Sequence, residues 1–494
     1  VANNPNDDRI NAAIASASPL DDDDFDGRES RDEGGGLPNS FGYSVDKLNQ
    51  EWALVLIGSK AAIIREKPDA PVEDRIRILT TQAFGTWMAN RPTEVRAADG
   101  KIKRVSWATR WISDRGRRTY DGIEFFPNPD GAANTSGYLN LWQGYSTAPD
   151  AGAGSYGVFR DHMLTNFCSG DERLFEWVFA WFAQMVQRPR EKMGTAIVIR
   201  GKQGAGKTTV GDVMGSLFEA HYFLVDEPRY VTGNFNAHMA SCLLLQAEEA
   251  VWAGDKVAEG KLKGLITAKT QMIESKGIDP FRLTSYNRIM MTSNEDWVVP
   301  AGKDERRYCV LDIAPNAVES FEYFDEMYEE LNNGGREALL ADLLAFDLSK
   351  VNLRLAPKTK SLLEQKIRSF NPIESFLFLR LYEGYLSSKI SGWPPDGEIK
   401  KEALFNQYLD ESDRIGIKRR QDQTAFGIGL KRLIPAVRTN LKRIDTETNT
   451  RKGFYGFPSL QACRDAFEAA LGQPVDWPDD DEPWLKEEGE DADF

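Results

Sequence analysis

Four groups of side chains in the middle of the chain have types and spacings suited to phosphate chemistry. The first is Gly201-Lys202-Gln203-Gly204-Ala205-Gly206-Lys207-Thr208-Thr209, which fits G-x-x-x-x-G-K-[ST] with an additional glycine inside the loop. Residues without a Cβ let a backbone turn tightly and wrap its N–H groups around a polyphosphate. Lys207 is then placed to reach the β- and γ-phosphates and Thr208 to offer its hydroxyl to Mg²⁺, while a helix starting there adds its positive dipole end. The ligand read from this stretch is a nucleoside triphosphate. The second group is Glu248 and Glu249, which follow the apolar segment Cys242 to Leu245; acids at the end of a neighbouring strand hold magnesium and orient water. The third is Asn294, closing "NRIMMTSNED", where a neutral amide suits an attacking water without adding repulsive charge. The fourth is Arg306 and Arg307, whose guanidinium groups can neutralise charge on a transferring phosphoryl group. In isolation each has a plainer reading: a glycine-rich turn, a solvated acidic pair, a self-capping turn and a surface basic pair.

Such residues act together only if a buried sheet carries them. Strands are expected at Thr195 to Arg200, Ser241 to Gln246, Asn287 to Ser293 and Arg307 to Ile313, alternating with helical patterns, which predicts a mainly parallel sheet covered on both faces. Ahead of them, residues 158–187 read as two helices. Asp171 is the expected N-cap of the second, "ERLFEWVFAWFAQMVQ", which is apolar nearly all round and so must be buried. Arg306 and Arg307 precede the last of these strand patterns and are expected to face a neighbouring subunit's site.

Charge is distributed unevenly. Residues 1–33 carry ten acids and three bases, and residues 476–494 ten acids and one base, so the stretch between has a net charge of only +1 although the whole chain is at −15. The acidic balance therefore says nothing against a nucleic-acid partner for the body. Four scattered cysteines and the three histidines His162, His221 and His238 make a zinc ribbon, a disulfide framework or a paired-histidine nuclease site improbable. No apolar run is long enough to span a bilayer and no secretory signal is visible, so a reducing cytoplasm and no membrane partner are expected. The first residue is Val1 rather than methionine, so a fragment or processed product is expected, with room for domains upstream.

The ordered set of motifs resembles the superfamily 3 helicases of viruses, phages and plasmids, most closely the helicase part of phage-type primase-helicase proteins. The resemblance covers residues 193–315 and rests on Gly201 to Thr208, on Glu248 with Glu249, on "LITAKTQMIESKGIDPFRLTSYNRI", on Asn294 and on Arg306 with Arg307. It implies an α/β fold: a P-loop, AAA+-like parallel-sheet ATPase core with an N-terminal α+β and helical part and a C-terminal winged-helix-like domain. It also implies ATP and Mg²⁺ as cofactors, a homo-oligomeric ring of hexamer type, and movement along single-stranded DNA in phage or mobile-element replication, in a bacterial host's cytoplasm. Where the family often has Asp then Glu, this chain has Glu248 then Glu249; by position Glu248 goes to the metal and Glu249 to the base. The family's DNA-contacting lysine falls in the hairpin pattern around Gly277 and Pro280, as Lys276.

The expected organisation is an acidic, disordered segment at 1–45, an α+β accessory domain at 46–156, a helical oligomerisation segment at 157–192 and the ATPase domain at 193–350. A helical, winged-helix-like DNA-binding domain follows at 351–470, then an acidic tail at 471–494 suited to a polymerase or other replisome contact. Residues 414–452 hold eleven bases against three acids, and Lys431, Arg432, Lys442, Arg443, Arg451 and Lys452 are candidate phosphate contacts. Three other readings stay open: a motor remodelling protein, a motor packaging DNA, and an initiator that uses nucleotide only to assemble.

Overall fold

The computed structural model describes residues 42–71, 74–96, 101–234, 236–249, 256–275, 278–303, 305–318, 320–387, 392–393, 397–414, 420–444 and 449–478. The first unit runs α1 (Val45–Glu51), β1 (Trp52–Ile57), β2 (Lys60–Glu66), β3 (Ile76–Thr80), α2 (Thr81–Trp87), β4 (Pro92–Arg96), β5 (Ile102–Ser106), α3 (Trp107–Ser113) and β6 (Thr119–Tyr120). Its sheet has the order β3-β2-β1-β6, whereas β4 and β5 pair only with each other. Side chains of a strand alternate between faces. Trp52, Leu54 and Ile63 accordingly pack with Leu48, Phe84, Trp107 and Trp111 in a small local core, while Val55, Ile57 and Ile64 turn to the main core.

After β7 (Gly122–Glu124) and β8 (Tyr138–Asn140), α4 (Gly157–Asp161) passes into a π-turn over His162–Phe167. The expected first helix is thus widened over its second half, which places His162 and Asn166 side by side (Nδ1 to Nδ2 3.1 Å). α5 (Glu172–Gln187) is capped by Asp171, which accepts from the N–H groups of Arg173 and Leu174, and it is buried without a break from Trp177 to Val186.

The central layer comprises β9 (Ala196–Arg200), α6 (Lys207–Ser216), β10 (Tyr222–Val225), α7 (Pro228–Val231), β11 (Leu244–Glu248), α8 (Lys256–Thr267), β12 (Thr270–Ser275), β13 (Ile278–Thr284), β14 (Arg288–Ser293) and β15 (Tyr308–Asp312). Five of these strands form one sheet, β10-β11-β14-β9-β15, every neighbouring pair parallel. β9 and β14 are buried at every position, as central parallel strands under two covering layers must be. The strand expected at Ser241 to Gln246 begins three residues later, because a 3₁₀ turn over Ala237–Ser241 uses its start. β10 was not anticipated: it is an edge strand of only four residues, Tyr-Phe-Leu-Val, and is largely half-exposed. β12 and β13 form a separate antiparallel hairpin, and Pro280 lies inside β13 rather than in the turn. The register shifts between Ile273 and Ser275, opposite it, which suits a residue that has no N–H for the ladder.

Helices α9 (Phe321–Glu330) and α10 (Arg336–Ala345) close the main core; α11 (Lys360–Arg368) leads into a second one. That second core is built from α12 (Pro372–Glu383), β16 (Glu398–Lys400), α13 (Lys401–Arg414), α14 (Gln423–Leu433), β17 (Arg438–Ile444), β18 (Arg451–Gly456) and α15 (Leu460–Leu471). α12 opens with a capping box between Asn371 and Glu374 and closes on Gly384 in the left-handed region, two signals that fix its ends locally. The three strands pair antiparallel as β16-β18-β17.

Candidate functional site

β9 delivers Gly201 to its C-terminal end, and there the backbone needs glycine. Gly201, Gly204 and Gly206 have φ of 143°, 78° and 86°. A Cβ on Gly206 would stand 2.6 Å from the His162 ring, and one on Gly201 2.6 Å from Ile313. α6 begins at Lys207, whose Nζ donates to the carbonyls of Gly201 (2.6 Å) and Lys202 (2.9 Å) and to Asn294 Oδ1 (2.6 Å). All three ammonium hydrogens are thus placed. Burial lowers the Lys207 pKa, an effect opposed by the nearby Glu249 and Glu248 carboxylates.

Parallel pairing of β11, β14 and β9 brings their C-terminal ends together. Thr208 Oγ1 donates to Glu248 Oε1 at 2.7 Å. Glu249 turns at a φ of 50°, a conformation uncommon for a residue with a Cβ and often concentrated at functional sites. That turn lays its carboxylate on the end of β14, where it accepts from Asn294 N (2.7 Å) and Ser293 Oγ (2.8 Å). The structure therefore gathers the 201–209 loop, Glu248, Glu249 and Asn294 into one hydrogen-bonded set.

It does not gather Arg306 and Arg307 there. The Arg307 carbonyl accepts from Ala196 N, so the pair lies beside the start of β9, a strand length of about 16 Å from the loop. Arg306 is exposed, and Arg307 pairs with the buried Glu305 at 3.2 Å. Arg200, one residue before the loop, is a buried clamp: it bonds both Asp312 oxygens (2.7 and 2.8 Å) and Glu364 (2.6 Å), tying β9 to β15 and α11.

Two contributors had no sequence signal. Buried His162 lies under the loop, with Nε2 3.3 Å from the Gly206 carbonyl; Gln246 braces α6 by donating to the Thr208 carbonyl at 3.3 Å. Both act across distant segments, which spacing along the chain does not reveal.

Of the DNA-contact candidates, Lys276 lies outside the described residues. Lys431, Arg432, Lys442 and Arg443 are all exposed, but Arg443 is held by both oxygens of Glu398 (3.0 and 2.7 Å) and Arg432 lies 3.6 Å from Glu374. Lys452 is likewise 3.5 Å from Glu402. Lys431 and Lys442 have no ion-pair partner among the described residues. Trp107 and Trp111, near the arginines of the first unit, are core. All four cysteines are buried and free. Among the described residues no cluster of three or more His, Cys, Asp or Glu side chains could hold a metal ion, and no helix is long and apolar enough to cross a membrane.

Comparison with known proteins places this geometry in context. A family of unknown function, DUF5906, matches residues 199–307, the stretch that carries the loop, both glutamates, Asn294 and the arginine pair. The DNA primase-polymerase of Nitratiruptor phage NrS-1 is 25% identical over 236 residues, 47% of this chain and 33% of that protein; the match spans about a third of this curated relative. The apo structure of the NrS-1 C-terminal region superposes with a TM-score of 0.59 at 15% identity, covering 84% of this chain and 98% of that one. A JCV helicase structure aligns with a TM-score of only 0.25 over 46% of this chain and 63% of its own, at 17% identity. This chain thus shares the mixed α/β fold of the NrS-1 C-terminal region, with a parallel sheet at its centre.

Proposed function

We propose that the protein is an ATP-dependent DNA helicase of the superfamily 3 type, acting in phage or mobile-element DNA replication as a ring on single-stranded DNA. The observation that carries this reading is the convergence of Lys207, Thr208, Glu248, Glu249 and Asn294 at the ends of three adjacent parallel strands. The likeness to a phage primase-polymerase supports a role in replication.

The residues fit a magnesium nucleotide. With few protein carboxylates to offer, the site suits Mg²⁺, which is commonly held by one or two carboxylates together with substrate phosphates; Thr208 and Glu248 would hold it beside the loop. When bound, the nucleotide supplies a γ-phosphoryl group open to attack by water. Gly201 to Thr209 orient the phosphates through backbone N–H groups, and Lys207 exchanges its present acceptors for phosphate oxygens. Glu249 takes the water's proton and Asn294 fixes the water's position. Arg306 and Arg307, remote from their own loop, serve the site of an adjacent subunit, and Lys276 grips the DNA backbone. A winged-helix-like domain at 351–470 makes a second contact, and the tail at 471–494 meets a polymerase or other replisome partner. α5 is enclosed by its own chain, so subunit contacts in 157–192 are made by its outward residues.

The decisive experiment couples ATP turnover to strand displacement on forked, single-stranded and duplex DNA. Unwinding that Glu249→Gln abolishes supports the reading, with Arg306→Ala/Arg307→Ala losing turnover by about 10³-fold in the assembled state. Turnover without unwinding on any substrate overturns it in favour of a motor remodelling protein or packaging DNA. In the same assay Lys276→Ala lowers DNA-stimulated turnover more than basal turnover.

A further inference from the structure

Part of the first unit is as basic in count as residues 414–452, although the whole chain is acidic. Residues 75–118 contain eleven lysines and arginines against Glu94, Asp99 and Asp114. On its surface Trp87, the last residue of α2, leaves 53% of its area in solvent, an unusual position for the largest apolar side chain.

That indole belongs to an alternating stack of rings and cations. The Arg91 guanidinium lies 5.6 Å from the Tyr43 ring and 5.4 Å from the Trp87 ring. Arg65 continues the series, 6.0 Å from Trp87 and 5.3 Å from Trp52. Trp52 is buried in the local core and anchors one end of the series, while Trp87, its middle ring, keeps about half of its area in solvent. Arg65 is steadied by Glu51 at 3.4 Å, and Arg91 donates to the Met88 sulfur at 3.2 Å. The same side chains, with Lys47, line a groove of about 400 Å³.

Next to the stack, the β4–β5 hairpin joins no larger sheet. It presents Ile102, 68% exposed, together with exposed Lys103 and Arg104, neither of which is in an ion pair among the described residues, although Glu94 lies opposite Arg104 in the register. The unit is fixed to the β12–β13 hairpin by Lys60, whose Nζ lies 2.6 Å from Asp279.

We propose that this surface binds single-stranded nucleic acid: a base enters the groove and stacks on Trp87 in place of one of the two flanking guanidinium groups, and Lys47, Lys103 and Arg104 take the backbone phosphates. Aromatic platforms with flanking cations bind single strands with little regard to sequence, because every base has a π-face. A duplex, with its bases already stacked, offers Trp87 nothing. An acidic peptide would use the cations but leave the indole exposed. The inference does not depend on nucleotide hydrolysis and is tested without it.

The test uses the full chain and a fluorescent oligothymidylate of about 15 nucleotides, read by anisotropy in the absence of ATP. Trp87→Ala is expected to weaken binding about tenfold, and Trp87→Phe by less than about threefold, since the phenyl face still stacks. An abasic oligonucleotide of the same length should bind wild type more weakly and be indifferent to Trp87→Ala. Replacing Lys103 and Arg104 with Glu should lower the salt dependence by about two phosphate contacts. A urea midpoint and a circular dichroism spectrum unchanged in each variant establish that the fold is intact. Unchanged affinity of Trp87→Ala for oligothymidylate overturns the proposal, as does an equal loss on the abasic strand. If that unchanged affinity comes with altered proteolysis of the acidic residues 1–33, the groove's occupant is the chain's own segment instead.

Discussion

The phosphate-loop region and the basic region at 414–452 were both conspicuous in the sequence, and the fold treats their charges differently. Around the loop, three strand ends bring together groups from residues 201–208, 248–249 and 293–294, so that Lys207 meets Asn294, Thr208 meets Glu248, and Glu249 meets Ser293. In the basic region, much of the positive charge is already answered by carboxylates of the same unit: Arg443 and Arg438 by Glu398, Arg432 by Glu374, Lys452 by Glu402. A motif names residues that a buried sheet must assemble. A count of charges names residues without saying whether they are available. The first kind of signal survives folding better than the second.

The largest effect that would break this contrast is at the loop. Lys207→Ala removes three hydrogen bonds and the cation nearest the proposed phosphates, so ATP turnover should fall by at least about 10²-fold in a phosphate-release assay. Lys442→Ala, which loses no described partner, should leave basal turnover within about twofold of wild type. Comparable losses from the two would show that the loop's assembly confers nothing special.

How much of this was legible follows from the same difference. β9, β14 and β15 lie within a residue or so of the spans expected from their apolar runs, and Asp171 caps α5 as its type and position suggested. These are local signals. β10 was missed because an edge strand with half-exposed side chains carries little periodicity, and Pro280 was placed in a turn because proline more often ends a strand than sits beside a register shift. His162 and Gln246 reach the site only through tertiary packing. Trp107 and Trp111 are core whereas Trp87 is exposed; composition shows that aromatics and arginines are near each other, not which of them is covered.

Acid should separate the two cores. His221 is fully buried in the main unit, accepting from Gln143 N (2.9 Å) and bonded through Nδ1 to the Ser241 carbonyl (2.8 Å), and burial pushes its pKa down to about 4. His162 and His238, in the same unit, are shifted down for the same reason. A base with a depressed folded-state pKa is carried neutral by the fold while the unfolded chain takes up the proton. Its stabilising effect is therefore complete above the unfolded value near 6.5 and lost progressively as pH falls toward 4. Between pH 7 and pH 5 the main unit should lose about 2 kcal/mol on account of His221, read as a lower urea midpoint, and His221→Gln should flatten the dependence. The C-terminal core has no histidine. Its Glu411 is shifted upward, chiefly by burial, which works in the opposite sense: protonation is favoured in the fold, so acid does not weaken that contribution. A single transition moving equally for probes in both units would erase the distinction.

The smallest effect tests whether the basic region is restrained by its own acids. Glu398 is the shared partner, bonded to Arg443 through both oxygens and 3.9 Å from Arg438. Exposed pairs of this kind are worth at most about 1 kcal/mol, so Glu398→Gln should cost the fold almost nothing. It should nevertheless release two guanidinium groups on the strand that also carries Lys442. Nucleic-acid affinity should rise by a few-fold at low salt, and the slope of log affinity against log salt should steepen by about one to two contacts. A steeper slope means that these arginines reach phosphate once freed and that Glu398 holds them back in the native chain. An unchanged slope places the outer face of β17 away from the nucleic acid, leaving Lys431 on α14 and Arg451 on β18 as candidates without an ion-pair partner among the described residues.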